Sequence, residues 1–247
     1  DISGISWNYE GPFVYDGTEK TVYVTGIPEG CYAVYGNARA AQAGTYVATA
    51  DIRPEDTDNF SAVKYGNITW RIEKGDYDMS HAYWDYDRPF TYDGTEHTVV
   101  LKGLPEGVTP AYRNNTAADA GTYEASVSFR AADERNYNVP EFENCTWTIN
   151  KADYDMSAVQ WNYSGEFSYT GRMHEVELRG LPEGVRAVYS GNAAADTGFY
   201  EANADLIPFD QSNYNKPYVE SCKWRIVKAD YEMGAVKWDY TDAKVYN

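Results

Sequence analysis

Histidines, clustered acidic side chains and recurring lysines are the residues of this chain that could do chemistry. His97 and His174 stand at equivalent positions of a repeated pattern, and the third equivalent position is Lys20. A general base needs a pKa near the working pH, which a lysine at a polar strand position does not provide. We therefore interpret these histidines as polar strand residues. The sequence holds no nucleophile elbow, phosphate-binding loop or metalloprotease helix motif, so we expect a protein that is not an enzyme.

Acidic loops raise the question of calcium, which takes six to eight oxygen ligands. Asp153 and Asp155 lie close together in "KADYDMS", residues 151–157, and a second acidic loop, "PEDTDNF", spans residues 54–60. Neither loop has the ligand spacing of an EF-hand or its bidentate glutamate. A hydrated acidic link is the favoured interpretation, with Asp153 and Asp155 kept as weak calcium candidates. No cofactor is expected.

Three lysines recur at one position, close to the end of a strand-like segment: Lys74, Lys151 and Lys228. An internal isopeptide bond between lysine and asparagine would need a lysine placed in this way. Because the position adjoins the link to the following copy, a solvated charge fits it better.

The elements that must position these residues belong to a sequence pattern that is repeated along the chain. Equivalent residues of successive copies are as far apart in sequence as Trp7 and Trp84. Two series of tryptophans keep that spacing without slippage: Trp7, Trp84, Trp161 and Trp238, and Trp70, Trp147 and Trp224. We expect three domains, at residues 1–77, 78–154 and 155–231. Residues 232–247 repeat the opening of a copy, and we interpret them as the start of a truncated fourth copy.

Within a copy, apolar and polar residues alternate with a period of two. In "SCKWRIV", Cys222, Trp224 and Ile226 fall on one face, and the two basic residues between them fall on the other. Such alternation predicts strands of antiparallel sheets with one buried face. Two sheets must face each other to bury these faces, so each copy is expected to be an all-β sandwich. A β-grasp unit is the alternative, but it needs a helix that the pattern does not show.

A tyrosine within a recurring "AGTY"-like stretch indicates which sandwich this is. In immunoglobulin-like domains a tyrosine near the start of strand F hydrogen-bonds the backbone a few residues upstream. The equivalent tyrosines here are Tyr46, Tyr123 and Tyr200. Alanine stands two residues later in every copy, where antibody domains have cysteine. We expect a tandem array of immunoglobulin-like antiparallel β-sandwich domains that forms a semi-rigid rod.

The order "FTYDG…VVLKGLPEGV…AYRNNTAADAGTYEA…NYN…WTINKADY" resembles the bacterial MBG/YDG-type immunoglobulin-like repeats, over almost the whole chain. Such repeats occur in large secreted or wall-anchored surface proteins, often adhesins. The resemblance implies an extracellular or cell-wall location, and either a binding role or a stalk. Some tandem-repeat surface proteins of this general kind capture host mucins or immunoglobulins. We expect the segment to be monomeric within a longer multi-repeat chain.

The net charge of −17 argues against nucleic acid and anionic lipid as partners, because both require basic patches. No apolar run approaches the roughly 18 residues of a membrane-spanning helix, so membrane insertion is not expected. A host protein or glycan is the expected partner, and a passive stalk is the alternative. Five tyrosines have no tyrosine counterpart in another copy and are the candidate contacts: Tyr23, Tyr32, Tyr65, Tyr83 and Tyr218. For Tyr23, on the polar face of its strand, the alternative is an exposed tyrosine that supports a cross-strand pair.

Overall fold

The computed structural model describes residues 1–240. The regular secondary structure in this range consists of strands, with no helix. The β-grasp alternative is therefore wrong, and the all-β prediction is confirmed. In the first copy the strands are β1 Ser6–Trp7, β2 Phe13–Val14, β3 Lys20–Thr21, β4 Val24–Thr25, β5 Cys31–Gly36, β6 Arg39–Ala40, β7 Gly44–Pro54 and β8 Val63–Glu73.

The strand order of the first copy is that of an immunoglobulin-like sandwich. One sheet has the order β2-β8-β7-β5, in which β2 runs parallel to β8 and the other pairs are antiparallel. The remaining strands form two short antiparallel pairs, β1 with β4 and β3 with β6. In immunoglobulin terms the larger sheet is A′-G-F-C, and the smaller strands are A, B and E.

The second and third copies repeat these elements at the same spacing as the recurring tryptophans. The second copy has β9 Tyr83–Trp84, β10 Phe90–Thr91, β11 His97–Thr98, β12 Leu101–Lys102, β13 Val108–Arg113, β14 Thr116–Ala117, β15 Gly121–Ala131 and β16 Cys145–Asn150. The third has β17 Gln160–Trp161, β18 Phe167–Ser168, β19 His174–Glu175, β20 Leu178–Arg179, β21 Val185–Ser190, β22 Ala193–Ala194, β23 Gly198–Pro208 and β24 Cys222–Val227. The third copy again has the order β18-β24-β23-β21 in its larger sheet.

A buried tryptophan packs in the core of the first copy, and a tyrosine hydroxyl bonds its two layers together. Trp70 is fully buried, and its indole nitrogen donates to the carbonyl of Asn37 at 3.2 Å. Tyr35, on β5, accepts a hydrogen bond at its hydroxyl from the backbone nitrogen of Val24, on β4, at 3.1 Å. The bond crosses from one layer to the other in a domain whose single cysteine, Cys31, is a free thiol.

By contact density the chain divides into two compact units whose boundary falls inside the second copy. The first comprises Asp1–Pro89, Glu96–Ala117 and Thr122–Thr148, and the second comprises Phe90–Thr95, Ala118–Gly121 and the chain from Ile149 onward. The domain boundaries at residues 77, 154 and 231 stay predictions. Residues 232–240 carry no strand, and residues 241–247 of the expected fourth copy lie outside the described residues.

Tyrosines join neighbouring copies at two links, one inside each unit. At the first link Tyr137 lies between Tyr77 and Tyr15, with ring centroids 4.5 and 5.2 Å away. At the second link, Tyr214 stacks on Tyr154 at 4.3 Å. Tyr77 and Tyr154 recur at equivalent positions, and each packs against a tyrosine of the following copy.

Candidate binding surface

The start of strand β23 determines which of its side chains face the core. Tyr200 donates its hydroxyl proton to the carbonyl of Asp196 at 2.8 Å, and its ring lies 4.8 Å from that of the buried Trp224. This is the geometry of a tyrosine corner. Because side chains alternate along a strand, Phe199 and Glu201 must then face away from the core. Phe199 is 83% exposed.

The outward side chains of β23 pair with those of β24 to make a mixed aromatic and charged surface. Phe199 lies opposite Arg225 and Glu201 lies opposite Lys223 in the strand register. The guanidinium carbon of Arg225 is 5.5 Å from the centre of the Phe199 ring, within the range of a cation–π contact. Arg225 also forms an ion pair with Glu166.

These residues line a shallow groove of about 580 Å³, which we call the Phe199 groove. Its lining is Tyr163, Phe199, Tyr200, Glu201, Lys223, Trp224 and Arg225. The groove offers an aromatic face for stacking, ammonium and guanidinium donors, and a carboxylate acceptor. Such a combination suits a protein side chain or a sugar ring.

Phe199 escaped the sequence prediction because only tyrosines were compared between copies. The same comparison applied to phenylalanine finds it at once, since its counterparts are Thr45 and Thr122. The aromatic ring is therefore specific to the third copy, whereas the corner tyrosine beside it recurs in all three.

Tyr23, a predicted contact, lies on a separate groove of the first copy. Its side chain is 48% exposed, and it shares a groove of about 450 Å³ with Tyr35 and Arg39. The backbone nitrogen of Tyr23 donates to Oδ1 of Asn8 at 2.7 Å, which fixes the chain between β3 and β4. This surface, the Tyr23 groove, is the second candidate.

The other four predicted tyrosines differ in exposure: three are exposed and one is half-buried. Tyr32 and Tyr83 are exposed strand residues, and Tyr218 is exposed in the loop before β24. Tyr218 borders a third groove, of about 530 Å³, together with Tyr189. Tyr65 is half-buried, packs beside a core cluster and donates its hydroxyl proton to the carbonyl of Ile5, so its ring stabilises the sandwich.

The corner tyrosines of the first two copies also pack against core tryptophans. Tyr46 donates to the carbonyl of Gln42 at 2.7 Å and lies 4.9 Å from Trp70. Tyr123 lies 4.9 Å from Trp147. The residue that supplies the accepting carbonyl is Asp196 in the third copy and Gln42 in the first. Because the acceptor is a backbone group, either residue supplies it equally well.

The weak calcium candidates are engaged in local hydrogen bonds. Oδ1 of Asp153 accepts from the side-chain amide of Asn215 at 2.8 Å. Oδ1 of Asp155 accepts from the backbone nitrogen of Ser157 at 2.9 Å, and hydrogen bonds from Ser157 hold the pKa of Asp155 below its ordinary value. Among residues 1–240, no three histidine, cysteine or acidic side chains gather as a metal-binding group.

The recurring lysines reach across the links. The ammonium of Lys74 donates to the carbonyl of Glu134 at 2.5 Å, and that of Lys151 donates to the carbonyl of Gln211 at 2.6 Å. Both bonds end on backbone oxygens, in keeping with the interpretation as charged surface residues. The part of the chain that the structure describes has no helix long and apolar enough to cross a membrane.

No family model matches this chain, and no curated protein matches it. Among solved structures it is similar to immunoglobulin domains 1–4 of Sidekick-1, at 12% identity and a TM-score of 0.18, over 91% of this chain and 74% of that one. It is similar to the Escherichia coli adhesin FdeC at 10% identity and a TM-score of 0.22, over 91% and 96% of the two chains. Domains 4–9 of the surface layer protein SbsC match at 9% identity and a TM-score of 0.19, over 85% of this chain and 42% of that one. Identities and TM-scores this low carry no argument about the fold. The immunoglobulin-like assignment therefore rests on the strand order of the sheets.

Proposed function

We propose that this chain is a non-enzymatic segment of a bacterial surface protein that binds a host protein or glycoprotein, with immunoglobulin and mucin as the first candidates. The observation that carries the proposal is the Phe199 groove: an almost fully exposed aromatic ring, beside a guanidinium, on one copy only. A passive spacer has no need of an exposed ring whose counterparts in the other copies are threonine. Large rigid aromatic side chains are the typical anchors of recognition surfaces.

The extracellular location in this proposal comes from the resemblance to MBG/YDG-type repeats. The net charge of −17 fits a partner with a basic surface, which the long-range field would attract. The first copy supplies a second exposed aromatic groove around Tyr23. If the partner is itself repetitive, as a mucin is, the two grooves on one chain could bind it together, and the overall avidity would exceed the affinity of either groove.

The test measures binding of the whole chain to immobilised immunoglobulin G and, separately, to immobilised mucin. Each groove has a conservative variant in the chain's own copies: Phe199→Thr for the Phe199 groove and Tyr23→Val for the Tyr23 groove. Removing an anchor of this size should weaken binding by about tenfold or more. Phe209→Ala, which restores the residue of the second copy at an exposed position outside both grooves, is the matched control.

Binding to either probe that is weakened by Phe199→Thr and unchanged by Phe209→Ala supports the proposal. Unchanged binding in both groove variants would place the partner elsewhere and remove the argument for a binding role of the grooves. Absence of binding to both probes would leave the stalk as the better function.

A stalk is the second candidate, and the links between copies favour it. Each link joins two copies by the same set of side-chain and backbone bonds, which limits the freedom of one copy against the next. Hydrogen exchange at the backbone amides of the two links distinguishes a stiff spacer from a loose tether: strong protection is expected for a stalk, and exchange at the rate of an unstructured chain would contradict it.

A further inference from the structure

Three tyrosine rings meet at the first link between copies. Tyr15 directly follows β2, Tyr77 lies between β8 and β9, and Tyr137 lies in the loop between β15 and β16. The ring of Tyr137 is stacked on that of Tyr77, with centroids 4.5 Å apart and planes inclined by 27°. It meets the ring of Tyr15 edge-on, at 5.2 Å. A phenol of the second copy thus contacts two phenols that precede that copy in the chain.

The second link repeats this arrangement. Tyr214 is stacked on Tyr154, with centroids 4.3 Å apart and planes inclined by 21°, and it meets Tyr92 edge-on at 5.4 Å. Packing alone does not require a hydroxyl at the central position, because the first copy has Phe60 there. The two links therefore share a stacked pair of phenols, and this pair is more than the packing of rings demands.

A buried asparagine fixes the central tyrosine of the first link. Asn136 is 3% exposed, and its side-chain oxygen accepts from the backbone nitrogen of Ala43 at 2.8 Å. Its amide nitrogen donates to Oε1 of Gln42 at 2.7 Å and to Oδ2 of Asp133 at 2.8 Å. The residue next to Tyr137 is thereby bonded to the corner turn of the first copy.

Asn213 does the same beside Tyr214. Its side-chain oxygen accepts from the backbone nitrogen of Ala120 at 2.7 Å. Its amide nitrogen donates to Oδ1 of Asp119 at 3.1 Å and to Oδ2 of Asp210 at 2.9 Å. One bonding pattern at equivalent positions of both links holds the central ring in place.

Backbone bonds flank the central ring on both sides. At the first link Gly75 donates to the carbonyl of Asn136 and accepts from the nitrogen of Asn138, both at 2.9 Å. Ala152 bonds in the same way to the residues on either side of Tyr214. Because Gly75 lies two residues before Tyr77, these bonds bring the backbones of both stacked tyrosines together.

The other ring of each stack is also held by the following copy. Gly107 has a φ of +85°, and a Cβ at this position would lie 3.4 Å from the hydroxyl oxygen of Tyr77. At the second link the hydroxyl of Tyr154 donates to the carbonyl of Gly184 at 3.3 Å. Both partners of a stack are thus fixed, which gives the two phenols a high effective concentration toward each other.

We propose that the stacked pairs, Tyr77 with Tyr137 and Tyr154 with Tyr214, are sites of oxidative cross-linking, at which dityrosine joins successive copies covalently. The oxidant is a one-electron oxidant of the peroxidase class, driven by hydrogen peroxide. Each phenol of a pair gives one electron to the oxidant and its hydroxyl proton to water, and so becomes a phenoxyl radical. The two radicals then form one carbon–carbon bond between ring carbons ortho to the oxygens.

The ring hydrogens close the balance of this reaction. Each coupled ortho carbon loses its hydrogen as a proton, and a proton returns to each oxygen, so that both phenols are restored. In sum, a pair loses two electrons and two protons, which hydrogen peroxide takes up to form two molecules of water.

The geometry favours coupling within one molecule over coupling between molecules. The centres of two directly joined rings are separated by one bond length and two ring radii, so rings already in contact need to tilt more than to travel. Their effective concentration exceeds the concentration of any dilute protein. The charge of −17 on each chain also keeps different molecules apart.

A cross-link at this place changes how the chain carries tension. A bond between Tyr77 and Tyr137 connects the chain across residues 78–136, which contain strands β9–β15. Tension along the chain passes through the bond, and the strands inside the closed loop bear none of it. A bond between Tyr154 and Tyr214 does the same for β17–β23. The closed loops also restrict the unfolded state, so the cross-linked copies resist both extension and unfolding.

Photo-oxidation of the full chain in dilute solution tests the proposal. A flash of light in the presence of tris(bipyridine)ruthenium and persulfate generates a one-electron oxidant, and persulfate is the final electron acceptor. The yield of dityrosine is measured by its fluorescence. Mass spectrometry identifies the linked peptides by the loss of two hydrogen atoms, and their fragmentation identifies the linked tyrosines. The expected links join Tyr77 to Tyr137 and Tyr154 to Tyr214.

The double variant Tyr137→Phe, Tyr214→Phe has the residue of the first copy at both positions and keeps both rings. It should lower the yield of dityrosine at least about fivefold, and the yield per molecule of the parent should not change on further dilution. Tyr218→Phe, at an exposed position outside the links, is the control and should keep the yield of the parent.

Three results would each overturn the proposal: no dityrosine within single molecules of the parent, links that join other pairs of tyrosines, or an equal yield in the double variant and the parent. The position of the link in the parent decides the question even if the double variant is less stable. None of these results depends on whether a host partner binds the grooves.

Discussion

At the scale of single residues, one asparagine recurs in all three copies, but its exposure differs between them. Asn59, Asn136 and Asn213 each follow an aspartate by three residues and bond to it. Asn59 is exposed, whereas Asn136 and Asn213 are buried under the preceding copy. The difference between them is the presence of that copy, so the three positions form a natural comparison of one side chain with and without its tertiary partner.

Asn136→Ala is expected to destabilise the chain because it leaves the backbone N–H of Ala43 and the side chain of Gln42 without their bonds. Leaving buried polar groups unsatisfied costs about 2–3 kcal/mol. The measurement is the urea midpoint followed by tryptophan fluorescence. The matched control is Asn59→Ala, which should cost only about 0.5 kcal/mol. Equal losses in the two variants would show that the link contributes nothing to stability.

The aspartate beside Asn136 makes the link sensitive to acid. Hydrogen bonds from Asn136 hold the pKa of Asp133 below its ordinary value of 3.8. The folded state therefore favours the carboxylate, and this contribution to stability is complete above the ordinary pKa and is lost as the pH falls through the lowered one.

Asp133→Asn should remove part of the acid response of the first link. We expect the urea midpoint of the parent to fall as the pH drops below about 4, and that of the variant to fall less. Asp58→Asn removes the same charge from an exposed loop and should keep the full response. An identical acid profile in Asp133→Asn and the parent would contradict this account.

At the scale of the elements, the sequence pattern predicted the strands well and the surfaces poorly. Alternation identified β24 by Trp224 and Ile226, and both are buried. The recurring corner tyrosine predicted the start of β7, where Tyr46 makes its bond. The pattern could not show that Tyr65 folds back onto Ile5, because that contact joins residues 60 positions apart. Nor could it show that the outward rings of Tyr23 and Phe199 each border a groove.

Tyr46→Phe tests how much the corner contributes to the sandwich. The variant keeps the ring beside Trp70 and removes the bond to the carbonyl of Gln42. A lost hydrogen bond of this kind costs about 1 kcal/mol in the free energy of unfolding. Tyr23→Phe, at an exposed position, is the control and should leave the urea midpoint unchanged. A variant as stable as the control would show that packing alone holds the start of β7.

At the scale of the whole molecule, repetition and charge act together. The 38 acidic side chains exceed the 21 basic ones, so at least 17 of them cannot have a basic partner of their own. A chain with this excess repels itself when it is compact. The tandem links bring acidic copies together, and each link accordingly places a lysine ammonium on a carbonyl of the following copy.

Added salt should therefore stabilise the folded chain, although it weakens individual surface ion pairs such as Lys216 with Asp205. Raising the ionic strength from about 10 mM to about 100 mM shortens the Debye length from about 30 Å to about 10 Å, and so screens the long-range repulsion most. We expect the thermal midpoint, followed by circular dichroism in dilute solution, to rise by a few degrees. The combined variant Glu10→Gln, Glu55→Gln and Glu106→Gln, which changes the charge from −17 to −14 at three exposed positions, should be more stable than the parent at low salt and respond less to added salt. A midpoint that falls with salt would mean that ion pairs outweigh the excess of acidic charge.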